Sequence, residues 1–291
     1  MTGGVEVVAR AGRNGLTFVA RLAHAPFPIE DRDGAYFDGR DAETGERFHT
    51  GPSGPLPETR HYRDDRVLFH VPAGFDPARP FELLVFFHGH RAELRRTLIG
   101  EHDLTRQVDA SGRNVVLIAP QLALDAPDSH PGKLAEPGGF KRFLDEAADF
   151  LAAHVARIDR DAVARAPVIV AAFSGGYRTA AFCLERGGAG ERIAGVVLID
   201  AIYGEVERLR AWLAGAGRRG FFLCFYGESS REGTEALAGA LAKDGIAVAD
   251  AYPERLGPGS VLVLWVDTPH DLIPRDGPPA GPIADLLQRL P

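Results

Sequence analysis

Residues 168–177 read Val-Ile-Val-Ala-Ala-Phe-Ser-Gly-Gly-Tyr, and they constrain the possible folds more tightly than any other stretch of the chain. Small and β-branched apolar residues lead into Ser174, two glycines follow at once, and residues 178–184 have helix-forming composition. The pattern predicts a buried strand, a sharp turn and a helix. A serine at such a turn presents its hydroxyl above the carboxyl edge of a sheet. Small residues two before and two after it, here Ala172 and Gly176, let the strand and helix backbones approach closely. The plainer alternative is a strand-to-helix turn in some other α/β protein, with Ser174 only capping the helix.

The remainder of the chain supports one large α/β unit. With 291 residues, 45% of them hydrophobic, it can bury a full core without division into two domains. A formal charge of −7 and a pI near 5.8, with basic residues scattered among acids, argue against nucleic acid or an anionic membrane as partner. The first thirteen residues lack an apolar core of signal-peptide length, and no apolar run has the length of a membrane span; a soluble, cytoplasmic protein is expected. The two cysteines, Cys183 and Cys224, lie among apolar neighbours without metal-site spacing. They read as buried free thiols.

In chain order, residues 5–9 and 16–22 alternate as strands joined at 12–15, an opening hairpin. Residues 26–57 are rich in Gly, Pro, Asp and Glu. Within them Ala35-Tyr36-Phe37 and Arg47-Phe48-His49 flank a turn at 43–45, a second hairpin on the surface. The acids there read as a solvated loop face, since none has calcium-loop spacing. From Arg66 the grammar becomes regular. Strands are expected at 67–71, 83–87, 115–119, 168–173, 193–199, 221–226 and 261–266, with the first two paired as a hairpin. Helices are expected at 101–110, 140–158, 178–184, 205–214, 232–243 and 283–290. This alternation predicts a mostly parallel central sheet with helices on both faces. An N-terminal β-rich extension over residues 1–65 packs on a main domain at 66–291. Loops leaving the carboxyl edge, including 121–139, shape the pocket.

The segment Ala172-Phe173-Ser174-Gly175-Gly176 resembles the nucleophile elbow of the α/β-hydrolase superfamily, with alanine in place of the usual first glycine. His88-Gly89-His90 after an apolar strand resembles that superfamily's third strand, although either histidine could be a simple polar strand end. The resemblance covers roughly residue 66 onward and implies an order of nucleophile, acid and base. Ser174 would be the nucleophile. His270, alone of ten histidines, follows the last expected strand and would be the base. Two strand ends offer the acid. The superfamily most often uses the later position, which points to Glu228, whereas Asp200 closes an entirely apolar run and needs a fixed partner. We favour Asp200 and keep Glu228 as the alternative. The oxyanion would be held by the amides of Gly175 and His90. Neither metal nor cofactor is called for.

The resemblance thus implies a serine hydrolase that cleaves a carboxylic ester through an acyl-enzyme. An amidase or peptidase with the same residues, or a non-catalytic small-molecule binder on the same fold, are the alternatives. Arg91, Arg95, Arg96 and Lys133 leave the active edge and could meet an acidic substrate, although solvated charges fit them better.

Overall fold

The computed structural model describes residues 5–9, 15–31, 34, 36–277 and 279–291. Twelve strands occur among them: β1 Glu6–Ala9, β2 Leu16–Arg21, β3 Gly39–Arg40, β4 Arg47–Gly51, β5 Gly54–Pro57, β6 Arg66–Val71, β7 Glu82–Phe87, β8 Val115–Pro120, β9 Val168–Phe173, β10 Ile193–Ile199, β11 Phe221–Tyr226 and β12 Val261–Trp265. Nine form the central sheet, in the order β1-β2-β6-β8-β7-β9-β10-β11-β12, and β3-β4-β5 form a small sheet apart. From β8 to β12 all neighbours run parallel, while β1, β2, β6 and β8 pair antiparallel.

The parallel strands β8 to β12 are continuous apolar runs because both faces of the sheet are covered. Along β7, Leu83, Val85 and Phe87 enter one core, and Leu84 and Phe86 enter the other. The first core is closed by helices Gly139–His154, Tyr177–Arg186, Val206–Ala214 and Arg231–Lys243, the second by Leu104–Ser111 and Pro282–Arg289. Both cysteines are buried and free. Among the described residues no helix is long and apolar enough to cross a membrane.

The expected elements are corrected in several places. β6 and β7 are not a hairpin: β8, later in the chain, inserts between them and pairs with both. The second surface hairpin pairs Gly39–Arg40 with β4, and Tyr36 and Phe37 sit instead in an aromatic cluster with Phe27 and Tyr62. Ala35 and most of the first hairpin's turn lie outside the described residues. Two acids of this region are tied into their own turns, with Asp41 accepting from the Glu43 and Thr44 amides and Asp31 from those of Tyr36 and Phe37. A π-helical turn, Leu94–Glu101, precedes the helix expected at 101–110, which starts at Leu104; the helix expected at 140–158 ends at His154.

His88 pins the carboxyl ends of β7 and β8 together. It is 1% exposed, and its Nε2 accepts hydrogen bonds of 2.9 Å from both the Leu122 amide and the Gln121 side-chain amide. The ring must therefore be neutral with its proton on Nδ1, which donates to the Gly89 carbonyl at 2.8 Å. Burial lowers its pKa from 6.5 to about 4. Because the folded pKa lies below the unfolded one, the associated stability is present above pH 6.5 and is lost as pH falls toward 4. From pH 7.5 to pH 5 this amounts to roughly 2 kcal/mol. Urea unfolding of His88→Gln should show a lower stability at pH 7.5 and an acid-induced loss smaller than wild type by about that amount. Identical pH slopes would contradict the assignment.

Candidate active site

Strand β9 delivers Ser174 at the centre of the sheet's carboxyl edge. Its φ is +49°, a left-handed conformation that a serine holds only when its surroundings impose it. The imposing contacts come from β7. A Cβ at Gly176 would lie 2.3 Å from the Phe87 carbonyl oxygen, and one at Gly89 would lie 2.8 Å from the Ser174 Cβ. No side chain fits at either place, so the turn after β9 and the loop after β7 interlock around the hydroxyl.

His270 follows β12 on the segment Asp267-Thr268-Pro269, and its Nε2 lies 2.9 Å from Ser174 Oγ. Its Nδ1 lies 2.6 Å from Oδ2 of Asp200, which closes β10 and is 1% exposed. An ionised carboxylate can only accept, so Nδ1 carries the proton and Nε2 is left to accept from the serine hydroxyl. Asp200 also accepts from the Gly227 amide at 2.9 Å and from the hydroxyls of Ser229 and Ser230. Burial alone would raise its pKa, but the bonds from His270, Ser229, Ser230 and Gly227 outweigh it and hold the carboxyl below the usual range. The Phe173 ring stacks on the His270 imidazole at 4.7 Å.

Glu228, the alternative acid, is 78% exposed at its side chain and pairs with Arg231 at 2.7 Å; it does not join this chain of bonds. Gly175 and His90 come together: a Cβ at Gly175 would stand 2.4 Å from the His90 ring. His90 Nε2 in turn lies 2.7 Å from Ser129 Oγ. Of the basic residues near this edge, Arg95 pairs with Glu6, Arg96 with Glu101 and Asp125, and the Lys133 ammonium donates to the Ala23 carbonyl. Arg91 lines a cleft of about 590 Å³ beside His90, His102 and Phe173.

Ser229 and Ser230 were not expected from sequence. They sit beside Glu228, and only the adjacency of β10 and β11 reveals that they face Asp200. Tyr203 is a second omission, its hydroxyl lying 3.0 Å from Ser229 Oγ at the rim of the site. Among the described residues no three potential metal-ligating side chains converge. The arrangement offers a hydroxyl whose proton can pass to an imidazole oriented and backed by a buried negative charge. That is the means of activating a serine.

No protein-family profile and no curated protein matches the chain. Solved structures do. An S-formylglutathione hydrolase from Agrobacterium tumefaciens is 11% identical with a TM-score of 0.53, over 98% of this chain and 99% of its own. The feruloyl esterase module from Clostridium thermocellum is 13% identical with a TM-score of 0.52, over 84% and 86%. A ferulic acid esterase is 13% identical with a TM-score of 0.52, over 77% and 92%. At such identities the likeness carries the architecture, and by that architecture the chain has the α/β-hydrolase fold.

Proposed function

We propose that the protein is a serine hydrolase that cleaves carboxylic esters through an acyl-enzyme. The observation that carries this reading is the continuous relay from Ser174 Oγ through both nitrogens of His270 to the buried Asp200, at 2.9 and 2.6 Å. Ester rather than amide cleavage is favoured by the names of the structural neighbours, two of which are feruloyl or ferulic acid esterases.

In this reading the Ser174 proton moves to His270 Nε2 as Oγ attacks the ester carbonyl carbon. The carbonyl oxygen becomes the tetrahedral oxyanion, received by the amides of Gly175 and His90. Asp200 stabilises the imidazolium, which returns its proton to the departing alkoxide and leaves Ser174 acylated. Water then repeats the sequence. His270 removes its proton, the hydroxide attacks the acyl carbon, and collapse of the second intermediate releases the acid and restores Ser174. The ring stacking of Phe173 keeps one face of the imidazole dry. Asp200 is assigned the orienting role because its four donors compensate its burial, while Glu228 is bound to Arg231 in solvent.

Hydrolysis of a short p-nitrophenyl ester by Ser174→Ala should fall by on the order of a thousandfold or more, with little change in melting temperature. Near wild-type turnover in the folded variant would overturn the reading. Asp200→Asn should lose on the order of ten-thousandfold in kcat because the amide no longer selects the Nδ1–H tautomer. Glu228→Gln should stay within about twofold. The reverse pattern would transfer the acid role to Glu228.

A further inference from the structure

We propose that Asp128, held by the phenols of Tyr36 and Tyr62, is a positioning residue for the oxyanion pocket, which makes the N-terminal segment a working part of the active site. The inference rests on the serine-esterase reading above. Tyr36 Oη donates to Asp128 Oδ2, and Tyr62 Oη donates to the same oxygen at 2.9 Å. The other carboxylate oxygen accepts the His130 amide at 3.0 Å. Asp128 therefore clamps two phenols from the N-terminal region to the loop that leaves β8.

The clamp is rigid because its parts are packed. Tyr62 is fully buried against Phe27 and Phe37, and Tyr36 lies between the rings of His49 at 4.6 Å and His130 at 3.8 Å. Burial, followed by the charge of Asp128, raises the pKa of both phenols, so they are donors at neutral pH.

The residue after Asp128 carries the constraint to the reacting centre. Ser129 Oγ is 2.7 Å from His90 Nε2, and a Cβ at Gly175 would fall 2.9 Å from that oxygen and 2.7 Å from that nitrogen. Ser129 and the His90 ring thus wall the ground on which the two proposed oxyanion amides stand. Backbone bonds join the same two loops on the other side, from Arg91 N to Ala126 O at 2.9 Å and from Asp125 N to Ala92 O at 3.3 Å. Oxyanion donors stabilise a transition state only when held where the charge develops, and both loops leave strand ends without regular structure of their own. The Tyr36–Asp128–Tyr62 clamp supplies the hold that secondary structure does not.

The test uses the full chain and three variants, Tyr36→Phe, Asp128→Asn and, as a packing control outside the clamp, Phe75→Leu in the connection before β7, where Phe75 packs on Phe81. Steady-state kinetics on the p-nitrophenyl ester are measured at a temperature where each variant is folded by circular dichroism. Binding of a trifluoromethyl ketone, which forms a tetrahedral adduct, is measured alongside. Tyr36→Phe and Asp128→Asn should lower kcat by on the order of tenfold with KM within about twofold, and weaken the ketone in proportion to kcat/KM. Phe75→Leu should lower the melting temperature and leave kcat unchanged. Should Asp128→Asn fail to fold, Tyr36→Phe alone decides, since it removes one oxygen atom. Wild-type kcat and ketone affinity in folded Tyr36→Phe would overturn the proposal, as would equal loss of kcat in Phe75→Leu. If those results came with an inactive Ser174→Ala, only this inference would fall; an active Ser174→Ala would remove the esterase reading and this inference with it.

Discussion

The negative charge of Asp200 is the constraint on which the site depends. A carboxylate at the end of β10, in a sheet covered on both faces, is stable only if the lost water is replaced by donors. The fold supplies four: the Gly227 amide, the hydroxyls of Ser229 and Ser230, and His270 Nδ1–H. Three of these belong to the turn that follows β11. That turn is where the α/β-hydrolase resemblance most often places the acid, and here it contributes hydrogen-bond donors while Glu228 faces solvent. The parallel pairing of β10 and β11 continues one bond further, from Asp200 N to Phe225 O at 2.7 Å, and this registers the carboxylate against its donors.

A second constraint is backbone proximity. The positive φ of Ser174 is held by the passage of β7 and its following loop, where only glycines fit at 89 and 176. His88 fastens that loop to the end of β8 through buried bonds, so a histidine that touches no reacting group still governs where Gly89 and His90 run. Strand end, turn and loop are one packed unit, in which movement of one piece by a few tenths of an ångström would displace the others.

Much of this was legible in the sequence for a physical reason. Strands buried on both faces are continuous apolar runs, so β7 to β12 announce themselves, as do Ser174 and Asp200 at the ends of β9 and β10 and His270 on the segment after β12. What escaped depends on pairings distant in the chain. The sequence between β6 and β7 reads as a turn, and nothing local says that β8 will separate them. Ser229 and Ser230 look like solvating neighbours of Glu228 until β11 is placed beside β10. Tyr36 lies in an irregular, turn-rich segment whose partner, Asp128, stands 92 residues away. The Leu94–Glu101 turn buries Leu94, Thr97 and Leu98 at helical spacing, but over eight residues, shorter than the window in which such a period is read.

In the proposed function the geometry around Ser174 turns one hydroxyl of the chain into a nucleophile. The most direct test is to react the native protein with a fluorophosphonate and locate the adduct by peptide mass spectrometry. One modification is expected, on Ser174, formed at a rate that collapses in the His270→Ala variant. A native protein that stays unmodified, or carries the adduct on another residue, would contradict it.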